Sequence, residues 1–210
     1  GPYGDKGGFD LIAQGFAGLM SITGEPGGAP VKPGNSVADI NAGILAVVGI
    51  LAAYTHKQRT GQGQVVETSL MEAALQQTYW HAAIQFATGT SPGPTGSAHI
   101  LTAPYQAFHA KDGWLNIGGA NQANWERIAD VLGHPEWRDD PRFRTNSDRM
   151  SHLDVLVEKI NAVLGTRNRA EWIEAFDAAG VPVGPVHSIG EALAHPQTLA
   201  RGMVVDLVHP

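Results

Sequence analysis

The sequence contains no cysteine, which excludes disulfide staples and thiolate metal sites together and is compatible with a reducing compartment. It has no cluster of basic residues. Fourteen Lys and Arg against twenty Asp and Glu give a net charge of −6, so the electrostatic footprint of a nucleic-acid binder is missing. The nine His are scattered, without an HExxH pair or other ligand spacing, and no metal is expected. Long hydrophobic runs are also lacking. The longest, Ile40 to Ala53, is interrupted by Asn41 and two glycines and falls short of the roughly 20 residues that a bilayer span needs. The expectation is a buried helix and no membrane. The chain opens on Gly1-Pro2-Tyr3 without an initiator Met or a signal-like segment, and closes on His209-Pro210 after an apparent strand. Both ends are therefore expected to be cut from something longer.

What is present is ordinary globular material. The 210 residues are 43% hydrophobic and 16% charged, enough to bury a sizeable core in one large or two small domains. Phe9, Ile12, Phe16, Leu19 and Met20 recur at helical spacing and predict a helix over 9–22. After a Gly/Pro-rich loop, Asn35 and Ser36 offer N-caps for a long apolar helix ending near Lys57. Residues 64–68 read as a short β-rich run. Ser69 and Glu72 form a capping-box pattern that opens a helix over about 70–88. Residues 89–97, rich in Gly and Pro, form the candidate linker.

Beyond the linker the pattern changes. Residues 105–109 and 114–117 flank Lys111-Asp112-Gly113 and predict a hairpin. Helices are expected at about 121–132, 148–164, 169–179 and 188–194, with strands near 182–186 and 203–208. Trp125, Trp137 and Trp172 are assigned to the core, as is the face of Leu153, Leu156, Val157, Ile160 and Leu164. The charged residues from Glu136 to Arg149 read as a solvated loop and a helix N-terminus.

Asp39 stands three residues after Ser36, immediately before the apolar run. A structural role is the common one for such spacing: Ser36-x-x-Asp39 resembles a capping box, with the acid favoured by the helix dipole. A chemical role draws on the same physics, because a carboxylate held ionised at a helix N-terminus can attack an electrophile. Local spacing leaves both open.

The wider pattern bears on that choice. Gly1-Pro2-Tyr3, Gly8-Phe9-Asp10-Leu11-Ile12-Ala13-Gln14 and Gly18-Leu19-Met20-Ser21-Ile22-Thr23-Gly24 precede Val37-Ala38-Asp39. Gln58-Arg59-Thr60-Gly61-Gln62-Gly63-Gln64, Gly96-Ser97-Ala98-His99, Pro104-Tyr105-Gln106-Ala107-Phe108 and Asp112-Gly113-Trp114 follow. Gly180 to Val186 and His195-Pro196-Gln197 complete the series. In this order the motifs closely resemble the family III CoA-transferases, which include formyl-CoA, carnitine-CoA and succinyl-CoA:dicarboxylate enzymes, and the resemblance covers essentially the whole chain.

The resemblance implies an α/β fold: a helix-rich, partial Rossmann-like large domain plus a small α+β domain. Residues 1–88 would be the later part of the large, CoA-binding and catalytic domain. Residues 89–97 would be the linker, 98–195 the small domain, and 196–210 the start of the segment returning to the large domain. It places the family's nucleophile on Asp39, with an aspartyl anhydride and an aspartyl-CoA thioester as successive intermediates. Gly7, Gly8, Phe9 and Asp10 fall where the family lines the pantetheine end of the site. Gly96, Ser97, Ala98 and His99 fall on its mobile active-site loop, with His99 a candidate contact for a substrate carboxylate. That loop has fewer glycines than in the formyl-CoA branch and looks closer to the succinyl-CoA:dicarboxylate branch.

By the same resemblance no cofactor is bound permanently, and coenzyme A enters as acyl-CoA substrate with a carboxylic acid as acceptor. A homodimer of interlocked rings is implied, as is a cytoplasmic location (the mitochondrial matrix in a eukaryote). Two other readings stay in view. Acyl-CoA racemases share the fold, but their catalytic His and Glu fall on Phe9 and Asn121 here, neither of which can act as a base. A non-catalytic dimerising fragment, inactive alone, is the third.

Overall fold

The computed structural model describes residues 1–3 and 5–208 of the chain. These divide into two compact units, Gly1–Ser97 and Ala98–Pro210.

The first unit is helical. It contains α1 (Asp10–Phe16), a 3-10 turn at Leu19–Ser21, α2 (Val37–Thr60), α3 (Leu70–Gln76) and α4 (Tyr79–Thr88). Helices α1, α2 and α3 meet around small side chains: Ala13, Ala17, Ala38 and Ala74 are buried, with Leu19 beside them. Alanines let the backbones come close but bury little apolar area each.

Four expectations for this unit are corrected. The single helix over 9–22 ends at Phe16, because the chain turns through Gly18 at φ +84°. Of the apolar residues that predicted it, Phe9 is 83% exposed and Ile12 and Phe16 are more than half exposed, while Leu19 is buried. The helix over 70–88 is two helices. Buried Thr78 breaks it, its Oγ1 donating to Leu75 O at 2.7 Å, the back-bonding by which Thr competes with helical hydrogen bonds. The run 64–68 joins no ladder among the described residues. Val66 instead packs against Gly49, where a Cβ would lie 2.6 Å from its Cγ1.

The fourth correction concerns the long apolar helix. It is 24 residues long and runs past Lys57 to stop where Gly61 takes φ +76°. By length and composition it could cross a membrane. It is also largely unburied: only Ala38, Ala42 and Ala53 are covered. Ile40, Ile44, Val47, Leu51 and Tyr54 are all more than half exposed. Their four-three spacing draws a single seam along the helix.

The second unit is built on a three-stranded antiparallel sheet in the order β1-β2-β3. Strands β1 (Tyr105–Ala110) and β2 (Gly113–Gly118) pair with Ala110 opposite Gly113, and β3 (Val183–Pro185) pairs with β2 through Ile117 opposite Val183. The strand period of two sends Phe108, Ala110, Leu115 and Ile117 inward. Helices α5 (Gln122–Val131), α6 (Asn146–Ser151), α7 (Leu153–Leu164) and α8 (Arg169–Ala178) accompany the sheet. They supply Trp125, Ile128, Leu156, Ile160, Leu164, Trp172 and Phe176 to one core. Trp172 is held by its indole N–H, which donates to Leu164 O at 2.8 Å.

The three tryptophans assigned to this core are in it, as are Leu156, Ile160 and Leu164 of the assigned helical face, with Val157 packed against them; Leu153 is only partly buried and stands outside the cluster. The helix expected over 148–164 breaks at His152, between α6 and α7. The stretch 136–149 is not simply solvated: Phe143 and Arg149 are buried. Helices α9 (Ile189–Ala194) and α10 (Pro196–Ala200) end the unit. No strand forms over 203–208, where Val205, Leu207 and Val208 are exposed and without a ladder partner. Positions 209–210 of the expected return segment lie outside the described residues.

Candidate functional site

Asp39 lies in the first turn of α2 and is exposed. It makes no hydrogen bond or ion pair among the described residues. The cap expected from Ser36 is not formed, since Ser36 occupies the N-cap position without a side-chain bond. The donor that a cap would satisfy is satisfied from α1 instead. Asp10 Oδ1 accepts from the Ala38 N–H at 2.9 Å, and Asp10 Oδ2 accepts from Gln14 Nε2 at 2.6 Å.

This arrangement separates two jobs that the sequence left on one residue. Asp10, buried, supplies the negative charge and the acceptor that a helix N-terminus favours. Asp39, one residue past the capped amide, is left without that duty. The structure therefore brings Asp10 and Asp39 to the same helix end, but it commits both oxygens of Asp10 inside the protein rather than to a ligand. Gln14 completes the pair, with its Oε1 buried and unpartnered among the described residues. Its spacing of four from Asp10 on one helix was a readable signal that the sequence analysis did not use.

Gly7 and Gly8 have open space where a Cβ would stand, and Phe9 beside them is exposed. Nothing in the chain itself requires glycine there. Gly96 differs. Its N–H donates to Gly24 O at 2.8 Å, its φ is +62°, and a Cβ would meet Glu25 Oε2 at 2.8 Å. The turn at Gly96 is thus pinned to the loop after the 3-10 turn, and Glu25 is a contributor that no motif singled out.

In the second unit, Ala98 and His99 precede β1. The His99 N–H donates to Tyr105 O at 2.9 Å. Its Nδ1 accepts from the Leu101 N–H at 3.1 Å, and its ring stands 5.2 Å from that of Tyr105. Asn121, which falls at the racemase Glu position, caps α5 by accepting from the Asn124 N–H. Other motif residues also have structural work. Asp112 Oδ1 accepts from the Arg169 N–H at 2.7 Å at the start of α8, and His195 Nδ1 accepts from the Gln197 N–H to open α10.

Charge in this unit is mostly at its surface. The Arg142 guanidinium beside Asp140 holds that carboxyl down at about 2. The Thr145 hydroxyl and N–H lower Asp148, which closes a capping box on α6. Arg138 pairs with Asp130. No group of three or more His, Asp or Glu among the described residues could hold a metal ion.

The chain belongs to CoA-transferase family III, whose sequence profile matches residues 1–210. It is 37% identical over 207 residues to a succinate–glutarate CoA-transferase of Agrobacterium fabrum, covering 99% of this chain and 52% of that one. It is 33% identical over 210 residues to the succinyl-CoA:glutarate CoA-transferase of Mus musculus, covering 100% and 48%. A crystal structure of a CAIB/BAIF family protein from Brucella suis superposes with a TM-score of 0.84 at 34% identity, covering 98% of this chain and 55% of that one. The chain spans about half the length of the curated relatives it matches.

Proposed function

We propose that the full-length protein transfers CoA between carboxylic acids, with Asp39 as the covalent carrier. The observation that carries this reading is the exposed, unpartnered Asp39 beside an amide capped by Asp10. In the first step an Asp39 oxygen attacks the donor thioester carbonyl. The C–S bond breaks, giving an acyl–aspartyl anhydride and CoA thiolate. The thiolate then attacks the aspartyl carbonyl, releasing the donor carboxylate and leaving an aspartyl-CoA thioester. The acceptor carboxylate then attacks the aspartyl thioester carbonyl, expelling CoA thiolate and forming a second anhydride, and the thiolate attacks the acceptor carbonyl of that anhydride to give the acceptor acyl-CoA and restore Asp39. One thioester replaces another, so no ATP is consumed, and covalent catalysis divides one difficult exchange into easier ones.

The names of the relatives bring succinyl-CoA and a dicarboxylate acceptor to this reading. Gly7, Gly8 and Phe9 would line the pantetheine arm, where open backbone allows close approach. Gly96, Ser97 and Ala98 would border the site, and His99 would contact a substrate carboxylate. Asp10 acts here as a support for α2. The protein is read as a cytoplasmic homodimer (in the mitochondrial matrix of a eukaryote), with CoA passing through only as a substrate. The α2 seam is read as meeting protein rather than lipid, because the polar Asn41, Thr55 and His56 lie on the same helix.

The test is CoA exchange by the full-length protein, with succinyl-CoA as donor and a panel of mono- and dicarboxylates as acceptors. New acyl-CoA should form with dicarboxylates and fall by at least about a thousandfold in Asp39→Ala. Exchange that survives in that variant would remove Asp39 from the chemistry.

A further inference from the structure

The buried pair on α1 is a demanding way to cap α2. Ser36 stands at the N-cap position, where a hydroxyl can accept from the second or third amide of a helix, yet its side chain makes no such bond. Asp10 takes the Ala38 amide instead, from a position 28 residues earlier in the chain. Asp10 is only 8% exposed, and no Lys, Arg or His forms an ion pair with it among the described residues. A buried carboxylate needs its charge answered by hydrogen bonds or a counter-ion. Asp10 has two donors, the Ala38 N–H on one oxygen and the Gln14 amide on the other, together with the positive end of the α2 dipole.

Gln14 is itself fully buried. Its Nε2 faces Asp10 Oδ2, because only the amide nitrogen can donate, and this leaves Oε1 enclosed without a partner among the described residues. The core where α1 meets α2 is otherwise apolar, built from Ala13, Ala17, Leu19 and Ala38. An unpaired buried acceptor is destabilising, so an apolar side chain of similar size would suit packing better. What the amide adds is a second bond that fixes the plane of the Asp10 carboxylate.

Those two bonds fix more than a cap. A Ser36 cap would tie α2 only to its own neighbour in sequence. The Asp10 cap ties the first turn of α2 to α1, and Asp39 is the residue after the tied amide. Placement matters for a nucleophile, since an error of about 1 Å can slow attack about a hundredfold. We infer that Gln14 is a positioning residue for the Asp39 carboxylate, acting through Asp10 by locking the group that caps Ala38. Gln14 touches no reacting atom. The inference deepens the transferase reading and rests on Asp39 as its nucleophile.

The experiment compares Gln14→Met, Asp10→Ala and the double variant in the full-length protein, with succinyl-CoA and a dicarboxylate acceptor. Methionine keeps the unbranched length of glutamine while removing the donor and the unpaired oxygen together. Gln14→Met should lower kcat about tenfold, with the KM of each substrate within about twofold and the melting temperature within about 2 °C of the wild type. The rate at which hydroxylamine traps acylated Asp39 should fall by the same factor as kcat. The double variant should be no slower than Asp10→Ala, because Gln14 acts through Asp10. A Gln14→Met with wild-type kcat would overturn the inference. So would a double variant slowed by the product of the two single effects, or a Gln14→Met whose whole effect is a lower melting temperature. With Asp39→Ala inert, each of those results leaves the transferase reading standing. A wild type that transfers no CoA, or an Asp39→Ala that still does, would fail that reading and this inference with it.

Discussion

The two units solve the problem of burying apolar residues in opposite ways. The second places Trp125, Phe108, Trp172, Phe176 and three residues of α7 in one closed core. The first closes mainly on alanines and leaves Ile40, Ile44, Val47, Leu51 and Tyr54 of α2 in solvent. Both sequences are rich in apolar residues, so composition does not separate them. The difference lies in whether the complementary surface is present in the same stretch of chain. Relatives about twice as long fit a first unit whose apolar seam is covered by further protein.

The comparison can be broken most directly in the core of the second unit. Phe176→Ala should cost about 3–5 kcal/mol in denaturant unfolding followed by tryptophan fluorescence. Val47→Ser on α2 should cost under about 0.5 kcal/mol in the 210-residue chain. In the full-length protein the same change should cost about 1–3 kcal/mol, if the seam is covered there. Equal, small costs in both would mean that the seam stays open. Asp10→Ala should cost about 1–2 kcal/mol by removing the α2 cap, and Asp10→Asn should recover part of it, as thermal melts would show. Limited proteolysis should cut the first unit while the second persists; trimming in the reverse order would contradict the contrast between the two cores.

The smallest effect is electrostatic. Asp140 is lowered to about 2 mainly by its hydrogen bond to the Arg142 side chain. A carboxyl whose folded pKa is depressed adds stability above its unfolded pKa and loses it as pH falls through the folded value. Its contribution should therefore disappear between about pH 4 and pH 2. Because Arg142 is largely exposed, solvent screening keeps the gain small. Melts of Asp140→Asn and wild type should differ slightly at pH 6 and converge near pH 2.

The second unit was largely readable because its signals are self-contained. A hairpin around Lys111-Asp112-Gly113 and helices with a strong apolar face find their partners within a hundred residues. The first unit was misread where a signal needs a partner elsewhere. Phe9, Ile12 and Phe16 repeat at helical spacing and yet face outward; residues 64–68 have strand composition but no strand to pair with. At the candidate site, Asp39 could be picked out, but not that Asp10, on another helix and 28 residues before the Ala38 amide it accepts from, would take over the capping. Arg149 was hidden in a charged stretch, since nothing local distinguishes a solvated arginine from one that folds back on a backbone carbonyl.

The central claim is that Asp39 carries the acyl group or CoA covalently, and trapping tests it most directly. Full-length protein would be incubated with succinyl-CoA and hydroxylamine, which attacks an aspartyl anhydride or thioester carbonyl to leave a hydroxamate. The peptide containing Val37–Asn41 would then be mapped by mass spectrometry. The account predicts a hydroxamate on Asp39 that requires acyl-CoA and is absent from Asp39→Asn. A hydroxamate on another carboxylate, or an unmodified Asp39 in protein that is turning over, would contradict it.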